Sequence, residues 1–240
     1  MAIGSTFGRT FSPTFQSKSQ AEAEAGGYTI WWTLDGALTT CIAAYQPKGA
    51  ANLDTSYTNL ANVGTYTCSA NNAPTQNATD GWVFTADALK NGLTSISSSA
   101  EFTVISRFTN MQATVAEDYL FGGASAANGH GVDIRPRYTG DVIRYHHGPN
   151  YVNGSACPTS GVLAVSKDGG YLNGVSDSDS LAACDFGTYQ LYNFSIGSRY
   201  WGETEYASTR ITCYIQAFAI YNSTLTAPQI AELTAAMNAL

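Results

Sequence analysis

The sequence predicts an all-β sandwich or jelly roll closed by one C-terminal helix. Short runs rich in β-branched and aromatic residues recur along most of the chain, turn residues separate them, and one capped amphipathic pattern comes last. Composition agrees. Ala, Thr, Gly, Ser and Asn supply half of the 240 residues, yet 44% are hydrophobic and 12% aromatic, unlike a disordered polar chain. A chain of this length buries roughly 70–75% of its unfolded surface, enough for one substantial core.

Residues 1–27 stand apart from this pattern. Phe7, Phe11 and Phe15 recur every four residues, but Pro13 and the Ser/Thr content oppose a helix. The expectation is an extended docking arm carrying Phe7, Arg9, Phe11 and Phe15, with AEAEAGG as a hinge to a domain over 28–240. Each buried Phe would contribute about 1.5–3 kcal/mol before ordering costs. Docking on a partner and folding back on its own domain both remain open for this arm.

From Tyr28 the expected strands are YTIWWTL and TTCIAAY, separated by the turn-prone Asp35-Gly36. Residues 46–81 read as a long loop. Then come WVFTA (82–86), EFTVISRF (101–108), DYLFGG (118–123), VDIRPRY (132–138), VIRYHH (142–147), GVLAVSKDGGYLNGV (161–175), YQLYNFSIGS (189–198) and RITCYIQAFAIYN (210–222). Asp168-Gly169-Gly170 marks a hairpin, because Gly supplies the positive φ of tight turns. In the last strand Ile211, Cys213, Ile215 and Ala217 alternate with Tyr214, Phe218 and Ile220, so both faces are apolar and the strand belongs inside. Thr226, Pro228 and Gln229 form a capping box, and Ile230, Leu233, Met237 and Leu240 mark one helix face.

Eleven Lys+Arg against 18 Asp+Glu give a net charge of −7, which argues against a nucleic-acid partner. No stretch approaches the ~18–20 apolar residues of a membrane span. The first twenty residues lack the basic start and apolar run of a secretory signal. Cys41, Cys68, Cys157, Cys184 and Cys213 are widely spaced with no CxxC, which speaks against zinc. They read as small buried apolar residues, with a Cys157–Cys184 bridge as the alternative.

GGYLNGV, FSIGSRY and ITCYIQAFAIYNSTLTAPQIAELTAAM resemble the end of concanavalin A-like, laminin-G-like jelly rolls. Leu172-Asn173-Gly174, Ile196-Gly197, and Tyr221-Asn222 with Leu225, Thr226, Gln229 and Ile230 occupy that family's recurring places. Gly81-Trp82-Val83-Phe84 followed by Leu89 resembles its entry strand, and the likeness covers residues 28–240. It implies a concanavalin A-like jelly-roll β-sandwich with an extended N-terminal arm and a short C-terminal helix. A narrower likeness, in FSPTFQ, YTIWW, AAYQPKGA, YTNLAN and GTY, is to virion proteins of tailed bacteriophages. That resemblance implies a non-enzymatic structural component of a capsid or tail, displayed on the particle surface and released by lysis. Its partners would be major capsid or tail proteins, its own copies as a homo-oligomer, and a host-surface glycan. The alternatives are a free lectin-like glycan-binding adhesion module and a polysaccharide hydrolase.

Hydrolases of this superfamily place carboxylates at alternate strand positions, usually as E-x-D-x-x-E, so that both lie on one face. Glu203-Thr204-Glu205 has the spacing but lacks the third acid, and Asp177 and Asp179 have it in poorer strand context. His146-His147, with His130, Asp133 and Asp141, suggest a metal cluster, but adjacent strand residues point to opposite faces. The family accommodates a surface calcium held by Asp and backbone carbonyls, and no spaced Asp-rich loop identifies one here. No GxSxG, P-loop or GxGxxG occurs. No catalytic, cofactor or metal residue is therefore assigned, and a non-enzyme without cofactor is expected. Tyr145, Tyr151, Tyr200, Trp201 and Tyr206 sit in Gly/Asn/Ser-rich segments and are expected at the surface, where sugar stacking, protein contact and edge packing all remain open.

Overall fold

The computed structural model describes residues 30–34, 38–90, 101–112, 118–124, 131–138, 141–148, 150–178, 181, 194–201 and 204–240. The expected arm and the Asp35-Gly36 turn lie outside these residues. The strands are β1 (Cys41–Tyr45), β2 (Ser69–Asn72), β3 (Thr75–Asn77), β4 (Gly81–Thr85), β5 (Ala88–Lys90), β6 (Thr103–Thr109), β7 (Phe121–Ala124), β8 (Gly131–Tyr138) and β9 (Val142–Gly148). They continue with β10 (Asn150–Ala156), β11 (Gly161–Ser166), β12 (Gly169–Leu172), β13 (Val175–Ser176), β14 (Ser195–Ile196), β15 (Tyr200–Trp201), β16 (Thr204–Glu205) and β17 (Thr212–Tyr221). Helix α1 spans Leu53–Ser56 and α2 spans Ala227–Asn238. The first sheet runs β13-β12-β11-β6-β17-β4-β3, with β1 also paired to β17; the second runs β10-β9-β8-β7-β14-β5-β2, with β15 and β16 attached beside β7. The protein is an antiparallel β-sandwich with a C-terminal helix, and only β15 on β7 pairs in parallel among these strand pairs.

The core between the sheets gathers Trp82, Phe84, Phe108, Phe121, Ile134, Phe194 and Phe218. Phe121 stacks on Phe194 at 5.7 Å between centroids and meets Phe218 edge-on at 5.5 Å. Such ring pairs contribute about 0.5–1.5 kcal/mol beyond burial.

Strand β17 is interior, paired to β6 on one side and to β4 and then β1 on the other. Its two faces are apolar, but the simple alternation breaks at Gln216. A bulge between Ile215 and Ala217 changes phase, so Ile211, Cys213 and Ile215 join Phe218 and Ile220 in the inter-sheet core. Ala217, Ala219 and Tyr221 turn to the opposite face. Gly81, at φ +81°, packs on this bulge: a Cβ there would lie 2.3 Å from the Ile215 carbonyl oxygen.

That opposite face is covered by α2 and by Trp31 and Trp32. Within the expected strand YTIWWTL, the described residues hold a single 3-10 turn, Trp31–Thr33, and Tyr28 and Thr29 lie outside the described residues. The indoles lie edge-on at 5.8 Å, and Tyr221 donates its hydroxyl to the Trp32 carbonyl at 2.9 Å. Burying both rings against the sheet outweighs their strand propensity. Helix α2 begins where expected, with Gln229 Oε1 accepting from the Thr226 N–H at 2.9 Å. Ile230, Leu233 and Met237 are buried under it, and Arg107 of β6 donates to the Met237 carbonyl at its C-terminal end.

Two further expectations change. Residues 46–81 hold α1, β2 and β3 as well as loop, and β10 is a strand whose Gly/Asn/Ser composition hides it. The hairpin at 161–172 is present, with Lys167-Asp168 at its tip, one residue before the expected turn. Cys41, Cys68, Cys157 and Cys213 are free thiols; burial pushes Cys157 up to about 12 and the others higher. Cys184 lies outside the described residues.

Candidate functional site

Strands β8 and β9 each carry one apolar and one polar face. Val132, Ile134, Ile143 and Tyr145 face the core, so Asp133, Arg135, Arg144 and His146 face outward by the period of two. Register aligns Tyr151 of β10, His146, Asp133 and Gly122 of β7 in one row across the sheet. The neighbouring row is Asn153, Arg144 and Arg135. A face with this content follows from the D-I-R and R-Y-H alternations of the two strands.

Asp133 is the floor of the site, with no exposed surface. Its Oδ2 lies 2.8 Å from His146 Nδ1 and 3.7 Å from Arg199 Nε, and its Oδ1 lies 3.7 Å from Arg135 Nε. Oδ1 is buried with no hydrogen bond. Burial pushes the Asp133 carboxyl up, but His146, Arg199 and Arg135 outweigh burial and hold it below its ordinary value. Gly122 makes room for this. A Cβ there would lie 3.0 Å from Asp133 Cβ and 3.2 Å from Arg199 Cγ, so Arg199 crosses β7 only because residue 122 has no side chain. Arg199 Nη1 then donates to the Tyr119 hydroxyl at 3.1 Å.

Tyrosines and arginines interleave along the face. The Arg135 guanidinium lies 4.6 Å from the Tyr119 ring centre and 5.4 Å from that of Tyr138. The Arg144 guanidinium lies 3.4 Å from Tyr138 and 4.0 Å from Tyr151, while its Nε donates to Asn153 Oδ1 at 3.1 Å. Each such contact contributes about 0.5–2 kcal/mol, depending on exposure. Tyr151 is 57% exposed, so this end of the ladder opens to solvent. Among the described residues no carboxylate pairs with Arg144.

The five aromatics expected at the surface do not form one platform. Tyr145 is fully buried: its ring packs over Gly170, where a Cβ would lie 2.2 Å away, and its hydroxyl donates to Asp177 Oδ2 at 2.8 Å. Two glycines in the neighbouring segments, Gly154 and Gly170, vacate the space this ring fills, so the small-residue context that suggested exposure signals burial instead. Tyr200 is also buried, with Lys90 Nζ 5.9 Å from its ring centre. Tyr206 is exposed, but its N–H donates to the Arg199 carbonyl beside β16, with β7, β8 and β9 between it and Tyr151 on β10. The Trp201 side chain and Phe7, Arg9, Phe11 and Phe15 lie outside the described residues.

The other candidates are tied up structurally. Glu205 accepts two hydrogen bonds from Arg210, at 2.7 and 3.2 Å. Asp177 accepts from Tyr145 and from the Ser155 N–H and hydroxyl. Glu203, Asp179 and His130 lie outside the described residues. His146 and His147 face opposite sides of the sheet, as the strand period requires. His147 is buried against Phe102 at 4.8 Å between centroids, and burial drives it down to about 3. Among the described residues no cluster of His, Cys, Asp and Glu is placed to hold a metal ion. Sequence reasoning passed over Tyr119, Arg135, Tyr138, Arg144 and Arg199 because a net charge of −7 conceals a local cationic row; the polar half of the strand alternation was the signal that exposes it.

No known protein family matches the chain, and no curated protein matches it. Solved structures do resemble it. Domain 4 of an extracellular GH43 arabinanase from Geobacillus stearothermophilus, solved with arabinotriose, has a TM-score of 0.56 at 20% identity, covering 81% of this chain and 98% of that domain. Trypanosoma rangeli sialidase has a TM-score of 0.54 at 12% identity, covering 83% of this chain but 33% of the sialidase. At these identities the likeness establishes the β-sandwich fold. The chain spans about a third of the sialidase.

Proposed function

We propose that this protein is a non-catalytic, lectin-like glycan-binding module whose binding face is the outer surface of the second sheet. The observation that carries this reading is the exposed Tyr151 ring, held beside an Arg144 guanidinium that Asn153 fixes in place. A flat ring offers a stacking surface for a pyranose or furanose face, and the fixed guanidinium and amide supply hydrogen bonds to its hydroxyls. The fold likeness to an arabinanase domain solved with arabinotriose supports the same reading. Calorimetric titration with arabinan, dextran and polygalacturonate tests it. Binding to at least one, weakened about tenfold in Tyr151→Ala, is expected for a central contact residue. Failure of all three to bind overturns it.

A particle-bound setting is the second reading, favoured by the sequence likeness of FSPTFQ, YTIWW and AAYQPKGA to phage virion proteins. There the arm with Phe7, Arg9, Phe11 and Phe15 would dock the module on a capsid or tail. Deleting residues 1–27 should leave a folded domain that no longer joins particles; undiminished incorporation overturns that setting.

A further inference from the structure

Arg135 and Arg144 are direct cross-strand partners on β8 and β9, and both side chains face outward. Like charges placed directly opposite each other destabilise a sheet unless something compensates them. Asp133 compensates Arg135 and Arg199 from below, at 3.7 Å each. Arg144 has tyrosine faces and an asparagine oxygen around it, which orient the guanidinium without neutralising it. Arg144 thus differs from Arg135 and Arg199, each of which lies 3.7 Å from the Asp133 carboxylate. That carboxylate is already shared with His146, and its Oδ1 makes no hydrogen bond. Among the described residues no carboxylate pairs with Arg144, so its charge is left unanswered there.

From this oriented Arg144 guanidinium beside the exposed Tyr151 ring we infer that the site selects acidic glycans, the sugar carboxylate or sulfate pairing with Arg144 while a neighbouring sugar ring stacks on Tyr151. The inference rests on the glycan-binding reading above and adds its substrate class. Guanidinium suits the task because its planar fork meets a carboxylate or sulfate with two parallel hydrogen bonds. Asp133 and His146 act as positioning residues. They brace Arg135 and Arg199, and through the row of β8 and β9 they keep the floor rigid beneath the ligand. The Tyr138 ring, between Arg135 at 5.4 Å and Arg144 at 3.4 Å, separates the two guanidinium groups.

The test uses the whole chain and five probes: polygalacturonate, fully methyl-esterified polygalacturonate, dextran, dextran sulfate and poly-glutamate. The expected result is at least tenfold tighter binding to polygalacturonate than to its methyl ester, or to dextran sulfate than to dextran. Which acidic polymer prevails identifies carboxylate or sulfate as the group recognised. Arg144→Gln should lower affinity for the acidic polymer at least tenfold, with an unchanged thermal midpoint, and Arg144→Lys should restore only part of it. Equal affinity for acidic and neutral polysaccharides overturns the inference and leaves glycan binding intact. Poly-glutamate bound as tightly as either acidic polysaccharide overturns it in favour of an acidic protein partner. Binding to none of these polysaccharides overturns the inference, and the arabinan titration above then decides the glycan-binding reading.

Discussion

The two sheets of this sandwich treat their outer faces in opposite ways. The first sheet buries its outer face under α2, Trp31 and Trp32, with Ala44, Ile105, Ala164, Ala217, Ala219 and Tyr221 filling the layer beneath. Small alanines on the strands let the helix and the indoles approach closely, so this face works as a second core. The second sheet turns Asp133, Arg135, Arg144, His146 and Tyr151 outward; Asp133 is fully covered, while the other four keep some exposure. A layer of charged and aromatic groups braced by one buried carboxylate contributes less to folding than an apolar layer does, because desolvation offsets much of the ion-pair gain. On the proposed reading, the first face serves stability and the second recognition.

The comparison breaks most visibly at Trp32. Trp32→Ala should destabilise the protein by about 3–5 kcal/mol in urea titration and leave glycan affinity of the folded fraction unchanged. Asp133→Asn comes next, at about 3 kcal/mol, because it removes a buried carboxylate that faces Arg135, Arg199 and His146. Since Asp133 is held below its ordinary 3.8, its stabilisation is present above that pH and is lost as the pH falls through the lowered value. The gap between wild type and Asp133→Asn should therefore be full at neutral pH and narrow below about pH 3.8. A constant gap would mean that the effect is packing and not charge.

His147 lies on the core side of the same strand and sharpens the contrast with His146. Its pKa falls from 6.5 to about 3 on folding, so the unfolded chain takes up the proton first. Stability should be full above pH 6.5 and decline below it, by up to about 1.4 kcal/mol per pH unit. His147→Phe, which keeps a flat ring against Phe102, should abolish that slope. Gln229→Ala removes the acceptor at the start of α2 and should cost about 1 kcal/mol, measured as a lowered urea midpoint. Tyr151→Ala should cost under about 0.5 kcal/mol of stability, the smallest folding effect of the series, while giving the tenfold loss of binding predicted above. A large folding effect there would turn Tyr151 from a recognition residue into a packing residue.

Most of the strands were legible because strands β4, β6, β8, β9, β11 and β17 carry strong β-branched and aromatic patterns. The capping box and apolar stripe of α2 were equally plain. Strand β10 was not, because an edge strand facing solvent needs no apolar residues, and Asn150, Tyr151, Asn153 and Ser155 are exposed. The tryptophan pair misled in the other direction: local propensity favours a strand, while the cavity between sheet and helix rewards burying two indoles in a turn.

The amino-acid sequence by itself determined the β class, the strand alternation, the terminal helix and the two-faced character of β17. Those features depend on neighbours close along the chain, where period and capping chemistry act directly. Only the tertiary structure decided the phase change at Gln216, the burial of Tyr145 over Gly170, and the approach of Arg135 and Arg199 to Asp133. Each joins residues far apart in the chain, and strand register, which brings them within a few ångströms, is set by packing of the whole sandwich.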